Sequence, residues 1–449
     1  MINTQLLRLG SRIQLSFILL LPFLLQAQTQ TMPRLTLPEA VQIALKNNLG
    51  IQMAQNNVAI AAINDDYGIA GGLPYVNASA GDQEQATSLK QEYSDPTNNK
   101  ESNNAFSNGL SASLGGNMLL YNGQRVVTAK KRLGTTVSQV KQQLSSRALV
   151  LINNVMLKYY DIVRQQSYAR TLEKTIDVYR QQLDIVKAQQ SIGLANNADL
   201  FQSQVDLNTQ VQNLQAQQLV IDQGKTDLLT LLTLNPDSSI VVEDTILIDK
   251  SIQLANVLSA VQTANPDVIA ADQQIRINQY IEKETGAQRY PSLYVSAGYN
   301  YSRTQNSGVS RFSPLMNLNY GPYAGVSLNI PIFNGGVYRR QEQVAGINVK
   351  NAQLLRDTLV LNYTANAVKS WQAYNNNLRQ LETAKENYDL SQKLLSLVLQ
   401  KFQLKQATIV EVKNAQESFE NAGFLMVNVS YAAKAAEIQL RRYANQLTN

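Results

Sequence analysis

The chain has 449 residues, 39 Lys and Arg against 33 Asp and Glu, a formal net charge of +6, and neither cysteine nor histidine. Those absences remove the usual zinc sites, the cysteine nucleophile and every histidine-based triad, and no basic block with interleaved aromatics supports nucleic-acid binding. Charged residues make up 16% of the chain, below the ~25% of ordinary globular proteins, and Asn, Gln, Ser and Thr replace them on a surface suited to lining water.

The N-terminus reads as a signal peptide over residues 1–28: Arg8 and Arg12, then an apolar core from Ile13 to Leu25, then Gln26-Ala27-Gln28 as a small-residue cleavage site. That core has 13 residues, short of the about 20 a membrane helix needs. No later segment is apolar for 18 residues, so a chain that crosses a membrane must do so with strands. From Leu37 to about Ile69 the apolar spacing is helical, with Pro38 suited to the helix start.

Leu73-Pro74-Tyr75-Val76-Asn77-Ala78-Ser79-Ala80-Gly81 reads as a strand that begins just after a proline, and Tyr290-Pro291-Ser292-Leu293-Tyr294-Val295-Ser296-Ala297-Gly298 repeats it 217 residues later. In the second copy Leu293, Val295, Ala297, Tyr299 and Tyr301 share one face, and Tyr294, Ser296, Gly298, Asn300 and Ser302 the other. This period of two fits a membrane-barrel strand and also an ordinary sheet with one wet face. A polar loop follows each strand, roughly Asp82 to Ala105 and Thr304 to Asn319. A second alternating strand then ends at Asn122-Gly123 in one copy and Asn334-Gly335 in the other, now 212 residues apart. A first loop five residues longer explains the change of offset, and outer loops tolerate insertions. The four strands are placed at about 73–82, 108–121, 291–303 and 321–332.

Each Asn-Gly opens a proline-free helical stretch, Gln124 to about Ile192 and Val337 to Leu404. Leu172, Ile176, Tyr179, Leu183 and Val186 step by four and three, the spacing of a coiled-coil seam. Beyond a turn, Leu200, Leu207, Leu214, Ile221 and Leu228 form a strict heptad, and Val412, Phe419, Met426, Ala433 and Leu440 repeat it at an offset of 212. The turns, near 193–199 and 405–411, carry Asp199 and Glu411, again 212 apart. The chain is thus a duplicated unit, 35–236 and 251–447, joined by a linker at 237–250 that contains a possible short strand, Ile240-Val241-Val242.

Tyr121-Asn-Gly123, Phe333-Asn-Gly335, Gly193-Leu194 before Ala198-Asp199, and Ile409-Val410-Glu411-Val412-Lys413-Asn414-Ala415 resemble the TolC family of bacterial outer-membrane efflux proteins over about Leu35 to Leu447. The resemblance implies an α+β membrane protein: duplicated coiled-coil hairpins forming a periplasmic tunnel, and four strands per chain contributing to a trimeric, 12-stranded outer-membrane barrel. It implies a Gram-negative exit duct without catalysis, cofactor or metal. Such a duct serves multidrug efflux or type I secretion beside a periplasmic adaptor and an inner-membrane transporter. Chain physics agrees on the barrel: four strands cannot close one, eight nearly fill their interior with side chains, and twelve leave a water-filled lumen.

In that family carboxylates near the hairpin tips narrow the periplasmic entrance, and Asp199 and Glu411 match those positions. Asn414 stands where some members carry a second acid, Gln202 is its equivalent in the first repeat, and Lys405 replaces a common glycine before the second tip. On a three-fold axis the two acids would give six negative charges, an entrance sensitive to pH and divalent ions. An acid in a helix's first turn also serves the helix dipole, with Asn196 or Asn197 as the cap. Tyr75, Tyr294, Tyr299, Tyr301, Tyr320 and Tyr323 read either as an interfacial girdle or as ordinary strand residues. Trp371 reads as packing. The reading from another class is a secreted coiled-coil structural or adhesion protein without a pore. A periplasmic glycan hydrolase fits poorly, because the acids that pair occupy equivalent places in two repeats.

Overall fold

A computed structural model describes residues 34–242, 245–307 and 314–447; the expected signal peptide lies outside them. The order is α1 (Leu37–Asn47), α2 (Leu49–Asn64), β1 (Tyr75–Gln91), β2 (Lys100–Tyr121), α3 (Arg125–Ser191), α4 (Asn197–Leu231), α5 (Leu254–Thr263), α6 (Pro266–Gly286), β3 (Ser292–Ser307), β4 (Met316–Asn329), α7 (Val337–Gln403) and α8 (Ile409–Tyr443). The repeat is matched helix by helix: α3 and α7 both have 67 residues, and α4 and α8 both have 35. At ~1.5 Å per residue, α3 and α7 are rods on the order of 100 Å long.

The structure differs from the sequence reading in the first helix and in both loops between paired strands. The helix expected from Leu37 to Ile69 breaks at Asn48, whose extended backbone and side-chain carbonyl cap α2 by accepting from the Gly50 and Ile51 amides. The polar stretch expected as a loop after Gly81 is mostly strand, since β1 runs on to Gln91 and pairs with β2 from Lys100; the loop expected from Thr304 to Asn319 is likewise strand at both ends, since β3 runs on to Ser307 and β4 starts at Met316, ending at Asn329 rather than 332. Ile240 and Val242 are buried, but among the described residues the linker makes a single parallel bridge, Arg34 with Val241.

The strands form one antiparallel sheet in the order β1-β2-β3-β4. Register fixes the faces. Val76, Gly116, Ala297 and Ala324 form one row across the sheet, as do Ala78, Leu114, Tyr299 and Pro322. The intervening rows, such as Tyr75-Asn117-Ser296-Gly325, lie on the opposite, polar face. The apolar face has a defined outer edge at the row Asp82-Leu110-Arg303-Leu318, beyond which Glu84, Asn108 and Gln305 follow. On β2 the apolar band thus runs from Leu110 to Leu120, the length of about 9–11 residues that a tilted membrane strand requires. Among the described residues no helix is long and apolar enough to cross a membrane.

Register also divides the tyrosines. Tyr299, Tyr301 and Tyr320 lie on the apolar face, whereas Tyr75, Tyr294 and Tyr323 lie on the polar one. Only the first three can stand at a lipid interface, so the six do not make a single girdle.

Two equivalent cores hold the middle of the molecule. In the first repeat Ala40 and Ala44 of α1 pack with Val155, Tyr159 and Ile162 of α3 and with Leu228 and Leu229 at the end of α4. In the second, Val257 and Val261 of α5 pack with Ala367 and Tyr374 of α7 and Leu440 of α8, with Trp371 stacked on Tyr374. A buried ionic group ties the linker to α8: Glu437, 2% exposed, accepts from Lys434 at 3.0 Å and from the Asp249 amide at 3.1 Å, and forms an ion pair with Arg441 at 3.2 Å. A buried carboxylate with this many donors is compensated, and removing one partner would leave it stranded.

Candidate functional site

The site is the end farthest from the sheet, where the α3–α4 and α7–α8 hairpins turn. Each long helix stops in a Schellman motif. In the first, the Gly193 amide bonds the Gln190 carbonyl at 3.0 Å and the Leu194 amide the Gln189 carbonyl at 2.7 Å. In the second, Lys405 bonds Phe402 at 3.1 Å and Gln406 bonds Lys401 at 2.8 Å. The motif requires a left-handed residue, and Gly193 has φ +76 while Lys405 has φ +62. The second tip therefore folds as the first does despite lacking glycine. For a side chain, left-handed backbone costs roughly 1–2 kcal/mol.

The return helices start in matching capping boxes. Asn196, not Asn197, caps α4: its carbonyl accepts from the Asp199 amide at 2.7 Å, and Asp199 is the third helical residue. Thr408 caps α8: the Glu411 amide donates to its hydroxyl at 3.2 Å, and the Glu411 carboxylate accepts from the Thr408 amide at 2.6 Å and hydroxyl at 3.0 Å. Those bonds hold the Glu411 carboxyl below its ordinary range, aided by Lys401. Both acids thus have a local role, starting their helices, and both stand at the extreme end of the hairpins. Asp199 is half-buried and Glu411 exposed. Gln202 lies one turn up and donates to Asp206 at 2.9 Å rather than to the tip. Asn414, its counterpart, is exposed on α8.

The structure brings the two tips side by side. Val186 of α3, Phe402 of α7 and Val412 of α8 bury one another, with Leu200 of α4 against them. Polar bonds cross between hairpins over this core. Lys405 Nζ donates to the Leu194 carbonyl at 2.8 Å, Gln189 Nε2 to the Phe402 carbonyl at 3.2 Å, and Gln416 Nε2 to Gln182 Oε1 at 2.7 Å. Gln182 and Gln416 are each 1% exposed. The α4 seam is less apolar than its leucine heptad suggests, because the alternate buried positions are Ser203, Gln210 and Gln217. Interhelical amide bonds replace apolar contact there, as in Gln217 Nε2 to Gln165 Oε1 at 2.8 Å.

Sequence reasoning missed a second acidic level above the tips. Glu420 of α8 bonds the Tyr168 hydroxyl of α3, and burial pushes its carboxyl up. Burial, then Asp206 and the neighbouring glutamates, push the Tyr179 hydroxyl up to about 12. Nothing in the sequence marks Glu420, since its partner belongs to the other hairpin. Lys405 did carry a signal, a side chain at the position its repeat gives to Gly193.

The sequence matches the outer membrane efflux protein family over residues 40–233 and 257–446, the two structural repeats. The chain belongs to that family. Three solved outer-membrane proteins share the fold at low identity, two of them described as channels. VceC of Vibrio cholerae is 15% identical with a TM-score of 0.73, covering 91% of this chain and 95% of its own. CmeC of Campylobacter jejuni is 15% identical with a TM-score of 0.71, over 91% and 85%. The open state of MtrE of Neisseria gonorrhoeae is 16% identical with a TM-score of 0.66, over 92% and 89%. No curated protein matches the sequence. As an outer membrane efflux protein the chain resides in the Gram-negative outer membrane, with its strands in the barrel and its hairpins in the periplasm, and the family points to a channel rather than an enzyme.

Proposed function

We propose that three copies of the chain close into a passive duct that carries solutes from a tripartite efflux or type I secretion machine across the periplasm and outer membrane. The observation that carries this reading is the open sheet: among the described residues β1 pairs only with β2 and β4 only with β3, and unpaired strand edges are not viable in lipid. Pairing β4 of one copy with β1 of the next satisfies both edges, and twelve strands leave a water-filled interior. The polar face lines it. Exposed apolar residues at the tips, Ile192, Leu194, Leu404 and Val410 among them, suit contact with a periplasmic adaptor coupled to an inner-membrane transporter. Asp199 and Glu411 form the acidic entrance at the tips, Gln202 and Asn414 line the level above, and hairpin movement opens it.

The test of the barrel is a pair of neighbours on β4. Val326 lies on the apolar face and Ser327 on the polar one. Arg on the lipid face costs about 2–4 kcal/mol at mid-bilayer, once per chain. Val326→Arg should abolish the heat-modifiable trimer in outer-membrane fractions, and Ser327→Arg should retain it with altered conductance in planar bilayers. Equal loss from both would mean that neither face meets lipid, and no channel from a folded Ser327→Arg trimer that also carries Lys405→Gly would end the duct reading.

Lys405 restrains the opening. Lys405→Gly is expected to keep the turn, because glycine accepts positive φ freely, and to lose the bond to Leu194. Single-channel records should then show more frequent opening with no loss of thermal stability. An unchanged opening frequency would leave the tether without a role.

A further inference from the structure

The polar face of the sheet holds one side chain in an unusual seat. Tyr323 of β4 is directly opposite Gly298 of β3, which is opposite Gly115 of β2. A Cβ built on Gly298 would lie 2.8 Å from the Tyr323 hydroxyl oxygen, and one built on Gly115 would lie 2.8 Å from the same oxygen. The phenol therefore reaches from its own strand over β3 to β2. Neighbouring strands are about 4.8 Å apart, so a tyrosine spanning that distance lies along the wall instead of projecting from it. Two glycines in adjacent strands make the notch that admits it, and the ring contributes its thickness to the bore instead of its length.

We propose that Tyr323, stowed over Gly115 and Gly298, sets the bore of the barrel lumen at its own level and so the size of solute that passes that point. The inference rests on the duct reading, which makes the polar face the lumen. Pore diameter is a direct determinant of selectivity in such conduits. The two glycines are not equivalent. A methyl on Gly298 would meet the Leu114 carbonyl oxygen at 2.4 Å and force β2 from β3, whereas on Gly115 the Tyr323 ring alone stands within 4 Å. Gly115→Ala should thus leave the sheet paired and lift the flexible ring into the lumen.

The natural chain has no cysteine, so one introduced thiol reports without background. Ser327→Cys places it on the polar face between Tyr323 and the helices, and Asn300→Cys places it on the outer side of the Tyr323 row. Intact cells are treated from outside with maleimides carrying polyethylene glycol of increasing size. Gly115→Ala should slow labelling at position 327 by the larger reagents several-fold, leave position 300 unchanged, and lose its effect when Tyr323→Ala is added. Equal labelling with and without Gly115→Ala would overturn the proposal, as would slowing that persists in the double variant, which would mark a distorted sheet. If position 327 stays unlabelled in the parent while a thiol from Val326→Cys labels, the lumen assignment itself is wrong and the proposal falls with it.

Discussion

Replacing Asp199 and Glu411 together by Asn and Gln is expected to abolish the cation selectivity of the reconstituted channel and its block by divalent cations. The amides are chosen because each acid is the third residue of its helix and completes a capping box; glutamine at that position still reaches back to the cap. Alanine would confound two effects, since losing a capping interaction costs about 1 kcal/mol of helix stability. Within one chain the Thr408 bonds hold Glu411 ionised below its ordinary value of 4.5. A carboxyl lowered on folding stabilises the fold at higher pH, and that stabilisation is lost as pH falls through its shifted value. The share of divalent block that Glu411 supplies should therefore be lost together with the α8 cap, on acidification below its ordinary value. Reversal potentials and blocking curves for the variant that match the parent would show the acids to be helix caps and nothing more.

Gly423→Val should produce the largest mechanical effect. Gly423 is buried on α8 where α3 and α7 close on it: an added Cβ would lie 2.6 Å from Thr171 Cγ2 and 3.2 Å from the Tyr388 ring. Thr171 is 5% exposed and cannot turn into solvent. Overpacking of this kind costs about 1–3 kcal/mol. The strain sits between the Arg164–Asn428 bond above it, at 3.1 Å, and the Gln182–Gln416 bond below, at 2.7 Å, so relief comes by spreading the hairpins. Raised open-state occupancy in planar bilayers and a lower denaturant midpoint are expected, with Gly423→Ala between variant and parent. A valine variant as closed and as stable as the parent would show that α3 and α8 are not tightly joined at this level.

The tip acids illustrate how far local pattern reaches. Asn196-Ala-Asn-Asp199 and Thr408-Ile-Val-Glu411 are capping-box sequences, and an interaction between residues three apart needs no tertiary information. The seam of α3 was legible for the same reason, and Leu172, Ile176, Tyr179, Leu183 and Val186 are all buried. The polar half of the α4 seam was not, because Gln210 and Gln217 look like surface residues until the carbonyls and amides of α3 arrive beside them.

Strand faces follow from a period of two, and so the sequence alone established the duplication, the long hairpins, the alternation of the four strands and the place of the tips. It left open where the membrane band ends and which tyrosines meet lipid. Register decided both, by setting Asp82 and Arg303 in one row with Leu110 and by putting Tyr323 over Gly298. The bonds that hold the tips together, Lys405 to Leu194 and Gln182 to Gln416, also belong to the tertiary structure alone. The physical reason is common to these cases: periodicity is written within a segment, whereas register and packing depend on atoms that distant parts of the chain bring together.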